Sequence, residues 1–161
     1  MSTLSVWRFD TPDGADNAVT TLERLSRQQL ISVHDAATVS WQDGAKKPKT
    51  RQLRNLAGAG ALGGAFWGML FGLLFLVPLL GAAIGAAAGA LAGRFSDYGI
   101  DDQFIKRIRD DVTPGTSALF VLTTDAVLDK VEEAFSGQRA ELLFTNLSKD
   151  QEDALREAFA D

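Results

Sequence analysis

No cysteine occurs among the 161 residues. Its absence excludes a disulfide framework, thiolate metal sites, a cysteine nucleophile and thiol redox chemistry together. The single histidine, His34, leaves no multi-histidine metal site and only one imidazole base. Positive charge is scarce as well. Lys and Arg number 16 against 21 Asp and Glu, and the net charge of −5 argues against a nucleic-acid partner. The chain also lacks a P-loop, a dinucleotide fingerprint, a nucleophile elbow, a zincin motif and a paired-acid signature. No catalytic residue, metal ligand or cofactor is therefore expected, and the chain does not read as an enzyme. The opening MSTLSVWRFD has no apolar core and no cleavage site, so a secretory signal is not expected there.

The sharpest absence is local. All 37 Asp, Glu, Lys and Arg residues lie outside Leu56–Gly93, a run of 38 residues without one. The mean hydropathy of +0.01 hides this division. A transmembrane helix needs about 20 apolar residues, so the run is too long for one crossing and suits two. Pro78 marks the division, because it lacks a helix amide and disfavours helical geometry at Val77. The expected elements are helices over roughly Leu56–Phe75 and Leu79–Gly93, joined near Leu76–Pro78.

Ten of the 15 glycines fall in this run. Gly60, Gly64, Gly68 and Gly72 recur every four residues before the proline, and Gly81, Gly85, Gly89 and Gly93 after it. Such spacing lays a bare stripe along one helix face, where a second backbone can approach closely. These eight glycines are the expected helix-packing positions, and Pro78 the hairpin turn. Away from the stripe, the first helix carries Phe66, Trp67, Met69, Leu70, Phe71, Leu73, Leu74 and Phe75, a face suited to acyl chains or to a bulky partner. The second is mostly alanine and suits the inside of a bundle. The alternative is a hairpin buried in a soluble core or inside an oligomer. The turn LFLVPLL carries no polar residue, so a hairpin that enters the bilayer without emerging is as consistent as a full crossing.

Lys46, Lys47, Lys49, Arg51 and Arg54 place five positive charges just before the run. The positive-inside rule sets that flank in the cytoplasm, and a hairpin returns the second half to the same side. Contact with anionic lipid headgroups, worth about 1 kcal/mol per basic residue near the surface, is the functional reading. A solvated linker is the plain one. The expected organisation is thus a first half over 1–45, a basic flank over 46–55, a membrane-associated hairpin over 56–93 and a second half over 94–161.

Both halves read as β-α-β. In the first, LSVWRF (Leu4–Phe9) has strand composition, Thr11-Pro12-Asp13 opens a helix with apolar Ala15, Ala18, Val19, Leu22 and Leu25, and Gln29–Gln42 alternates as a second strand. In the second, Asp101-Asp102 starts a short helix bearing Phe104, Ile105 and Ile108. SALFVLTT (Ser117–Thr124) is a buried strand, and Asp125 caps a helix with Val127, Leu128, Val131, Ala134 and Phe135 inward. AELLFTN (Ala140–Asn146) is a fourth strand, and Ser148 with Gln151 forms a capping box for a last helix over Lys149–Ala160. The fold class expected is α+β: a ferredoxin-like split β-α-β domain on a four-stranded sheet, with the apolar glycine-zipper hairpin inserted between its halves.

That plan, with the hairpin Gly60–Gly93 followed by GRFSDYGIDDQFIKRI, resembles the bacterial predicted-membrane-protein family catalogued as domain of unknown function 1269. The resemblance implies a prokaryotic protein with no assigned activity and carries no catalytic residue across.

Three minor sites have two readings each. His34 is a pH-sensing group or a histidine at the sheet rim. Asp101-Asp102 is a cation site or a helix cap. Tyr98, after the hairpin, is an interface anchor or part of a plain connector. The leading functional expectation is a non-enzymatic, membrane-associated scaffold whose hairpins self-associate into a homo-oligomer and organise lipid, with further contacts through sheet edges, faces or helices. The alternative is a membrane-tethered sensor whose ferredoxin-like domain binds a small ligand. A channel is weaker, since the run has no intramembrane charge.

Overall fold

The computed structural model describes residues 2–53, 63–76, 93–138 and 140–159. In chain order these form β1 (Ser2–Phe9), α1 (Gly14–Arg27), β2 (Asp35–Ser40), β3 (Lys49–Gln52) and α2 (Gly63–Phe71), which continues as a π-helical run over Gly72–Leu76. After it come α3 (Asp102–Asp111), β4 (Ser117–Thr124), α4 (Asp125–Ala134), β5 (Ala140–Leu147) and α5 (Lys149–Phe159). The class is α+β. One sheet of five strands runs in the order β3-β2-β4-β1-β5, with every neighbouring pair antiparallel.

Both faces of the sheet are covered. On one face Trp7, Phe9, Ala36, Leu119 and Val121 meet α1 and α4 through Ala15, Ala18, Val19, Leu22, Val131 and Phe135. On the other, Leu4, Val6, Ala37, Val39, Ala118, Phe120, Leu122, Leu143 and Leu147 meet α2 with its π-helical run, α3 and α5. This explains why SALFVLTT does not alternate. A strand covered on both faces needs apolar residues at successive positions, and β4 is buried from Ser117 to Thr123.

Local signals account for the helix boundaries. Asp101 caps α3 by accepting from the amide of Phe104 at 2.9 Å, so the acid pair starts a helix. Ser148 and Gln151 form the reciprocal box at the start of α5, with bonds of 3.1 and 2.9 Å. α4 begins at Asp125 itself, with Thr124 in the cap position and no side-chain cap bond.

Two elements depart from expectation. The second strand covers only Asp35–Ser40, because the chain leaves α1 through Gln29 at φ 59° and stays irregular to His34. The sheet gains a fifth strand at β3, whose KTRQ pairs with β2 from Ala37↔Gln52 to Ser40↔Lys49. That strand is solvent-facing and polar, so hydrophobic alternation could not announce it.

The bulky side of α2 packs on the sheet. Phe66, Trp67, Leu70, Phe71, Leu73, Leu74 and Phe75 are buried. Phe71 and Trp67 stand edge-on to Phe120 of β4 at 5.2 and 6.2 Å. Each such side chain contributes about 1.5–3 kcal/mol of hydrophobic stabilisation, so this stretch of the uncharged run forms much of the second layer of the core. Among the described residues no helix is long and apolar enough to cross a membrane.

Candidate functional site

Lys47 of the basic flank and two glycines of the stripe, Gly68 and Gly72, meet in one groove. Its position follows from Trp41, just past β2. The indole N–H of Trp41 donates to the carbonyl of Ala45 at 3.0 Å, and its ring stands edge-on to Phe75 at 5.8 Å. These contacts bring the segment after Ala45 alongside α2. The result is a groove of about 310 Å³ lined by Lys47, Pro48, Thr50, Gly68, Phe71, Gly72 and Phe75.

On the helix wall of this groove Gly68 and Gly72 alternate with Phe71 and Phe75. No atom of the described residues comes within 4 Å of a Cβ built on Gly68 or Gly72, and the same holds at Gly93. Gly68 and Met69 are exposed on this side. Gly64 lies in the first turn of α2. The opposite wall is Lys47, Pro48 and Thr50. Lys46, Lys49 and Arg51 are exposed but do not line it; Lys49 and Arg51 alternate with Thr50 on β3, and Arg51 reaches Asp16 of α1 at 3.5 Å, on the other face of the sheet. Gly60, Gly81, Gly85, Gly89, the turn at Pro78 and Arg54 lie outside the described residues.

Glycines that composition did not single out are the crowded ones. A Cβ on Gly14 would stand 2.3 Å from the Cβ of Phe9, and one on Gly99 2.9 Å from Oε1 of Gln151. Spacing alone could not find them, because their neighbours come from distant parts of the chain.

His34 sits at the sheet rim in a cluster made with α5. Nη2 of Arg156 lies 2.8 Å from Nδ1 of His34 and donates to Oε1 of Glu152 at 2.9 Å, while Oε1 of Glu152 lies 3.5 Å from that same Nδ1. Nδ1 thus faces a guanidinium and a carboxylate together, accepting from the first when it is unprotonated and donating to the second when it carries the proton. Burial lowers its pKa, and the charge of Arg156 lowers it further against the opposing pull of Glu152. For Glu152 burial pushes upward, but the hydrogen bond from Ser2 and the charges of Arg156 and His34 outweigh it and hold the carboxyl low. The cluster joins the approach to β2 to the last helix. Among the described residues no group of three or more acidic or histidine side chains converges to hold a metal ion.

A third feature lies where α1 ends beside α4. A cleft of about 450 Å³ is lined by Arg24, Leu25, Leu30, Ile31, Lys130, Glu133 and Ala134. The adjoining hollow adds Ser26, whose buried hydroxyl has no hydrogen-bond partner among the described residues.

Residues 61–160 match the model of a family described as Protein of unknown function (DUF1269), a span that takes in GRFSDYGIDDQFIKRI and the whole second half. No curated protein and no solved structure matches the chain.

Proposed function

The chain belongs to the DUF1269 family, and from that premise we propose that it is a non-enzymatic, membrane-associated protein that self-assembles through the glycine side of its apolar helix. One observation carries the reading: the bulky side chains of α2 are spent on the sheet, while no described atom comes within 4 Å of a Cβ built on exposed Gly68 or half-buried Gly72. A glycine in an exposed helix interior costs about 0.8–1.0 kcal/mol relative to alanine, and close helix docking is what offsets that cost. On this reading Lys46, Lys47, Lys49, Arg51 and Arg54 contact anionic headgroups, and the part of the uncharged run Leu56–Gly93 that is not packed on the sheet holds the protein at the inner membrane with both halves in the cytoplasm.

The finer fold reading is a ferredoxin-like split β-α-β domain with an inserted glycine-zipper hairpin. Its support is the order β5-β1-β4-β2, together with α1 and α4 sharing one face.

The test is particle mass in detergent for the wild type and for Gly68→Leu and Gly72→Leu. No described atom stands within 4 Å of either Cβ position, and the reading expects smaller particles with the melting transition retained. Unchanged mass with both substitutions in place overturns it.

The cleft between α1 and α4 favours a second reading, a sensor for a small ligand. The unpartnered Ser26 hydroxyl and the nearby Arg24 and Lys130 suit an organic anion with an apolar body. A thermal-shift screen of small carboxylates tests it, and no stabilisation of the wild type beyond that of Ser26→Ala rejects it.

A further inference from the structure

The two edges of the sheet are built differently. β3 is four residues long and carries exposed Lys49 and Arg51, the kind of charged, short edge that resists pairing with another chain. β5 is eight residues long, contains neither proline nor glycine, and has Glu141 as its one charged residue. Among the described residues its single strand neighbour is β1. Phe144, in the middle of β5, is 46% exposed. An edge of this length and composition is open to strand addition.

We propose that β5 is a self-association surface separate from the glycine side of α2: it pairs antiparallel with β5 of a second copy, joining two five-stranded sheets across a two-fold axis. The identity of the partner follows from the edges. Pairing of β5 with the β3 edge of another copy would propagate without closing, and it would bring Lys49 and Arg51 into the ladder. Pairing of β5 with β5 closes as a dimer and leaves the charged edges outward.

The register follows from face matching and from one turn. A two-fold axis normal to the sheet keeps each residue on its own face only when the axis passes through a residue. The turn at Gly99 occupies the Asn146 end of β5: its carbonyl accepts from the Thr145 hydroxyl at 2.8 Å, and its Cβ position lies 3.4 Å from the Asn146 carbonyl. Ala140–Thr145 remains, and of its residues Leu143 is the centre that sets exposed Phe144 against Leu142. Leu143 then faces its own copy, Glu141 faces Thr145, and Leu142 faces Phe144 twice. Exposed Phe144 is covered by half-buried Leu142 in both halves, and Glu141 never opposes Glu141.

Particle mass in detergent separates this surface from the glycine one. Gly72→Leu removes the glycine contact and leaves β5 intact, so the proposal expects a two-copy particle. Adding Phe144→Lys should halve that mass with no loss of melting temperature, because the side chain it replaces is already half in solvent. A Gly72→Leu particle of one copy overturns the β5 pairing while upholding the glycine contact; a two-copy particle that survives Phe144→Lys overturns it too. If Gly72→Leu has the wild-type mass, the glycine contact fails by itself and Phe144→Lys is read in the wild type. The chain has no cysteine, so the register has its own check. Oxidising a mixture of Leu142→Cys and Phe144→Cys chains should cross-link one to the other, and absence of that mixed species overturns the register.

Discussion

Arg109 of α3 donates from Nη2 to the carbonyl of Leu73 at 2.7 Å and from Nε to that of Leu74 at 3.3 Å. The two bonds fasten the π-helical run to a helix 35 residues further along the chain. They also place a positive charge against carbonyls, the arrangement favoured where helical carbonyls accumulate.

Arg109→Ala is expected to destabilise the fold by about 1.5–3 kcal/mol, the range for hydrogen bonds to a charged group. Arg109→Lys should recover part of that loss, since lysine keeps the charge and loses the fork. Chemical denaturation followed by tryptophan fluorescence measures both, with Trp67 stacked on Phe71 as a reporter close by. A loss no larger than that of an exposed α3 substitution such as Lys106→Ala would remove the anchoring role.

Acidification should destabilise the protein in two steps. Burial and Arg156 hold the pKa of His34 below its ordinary 6.5, so above that value the ring is neutral in both states and the fold has its full stability. As pH falls through 6.5 the unfolded chain takes up the proton first, and stability is lost until the folded pKa is reached. Glu152, held below 4.5, contributes stability above that value and loses it as pH falls through its folded pKa. Denaturation midpoints across this range test the sum. His34→Gln should flatten the first step alone, and a first step that persists without the imidazole would assign it elsewhere.

Much of this was legible because periodicity and caps are local. β1, β4, β5 and the faces of α1, α3 and α4 follow from apolar spacing, and Asp101 and Ser148 mark helix starts in the sequence itself. The bare and bulky sides of α2 were legible too, but not what the bulky side meets. A signal for it existed: β4 is apolar on both faces, and two β-α-β helices can cover only one. A cover for the other face had to come from elsewhere in the chain, and Phe66–Phe75 was the largest apolar supply. β3 left no such trace, because KTRQ pairs through its backbone while its side chains face water. Arg109 was hidden among the charges of KRIRDD, where nothing local separates an anchor from a solvated residue.

Gly68 and Gly14 should respond to alanine with opposite signs. Gly68 lies inside α2 with no described atom within 4 Å of its Cβ position, so Gly68→Ala gains about 0.8–1.0 kcal/mol of helix propensity. Gly14→Ala drives a methyl to 2.3 Å from the Cβ of Phe9, an atom fixed to the β1 backbone, and must shift α1 against the sheet. Melting temperatures of the dissociated chain should rise for the first and fall for the second. A fall at Gly68 would mean that the side of α2 read as open is filled in the monomer.

Gly99→Ala should weaken the last helix as well as its own turn. Gly99 has φ +92°, where an L side chain is strained by about 1–2 kcal/mol. The added methyl would also lie 2.9 Å from Oε1 of Gln151, the atom that accepts from the amide of Ser148 at 2.9 Å. Alanine therefore pushes on the capping box of α5, a feature worth about 1 kcal/mol by itself. Because clash and cap share one oxygen, the two costs cannot be independent. In a double-mutant cycle, Gly99→Ala should cost less in the Gln151→Ala background than in the wild type, and what remains there is the backbone strain. Denaturation midpoints of the four chains give the coupling directly. Strict additivity would mean that the turn at Gly99 and the start of α5 move apart freely, and that the box does not depend on a glycine beside it.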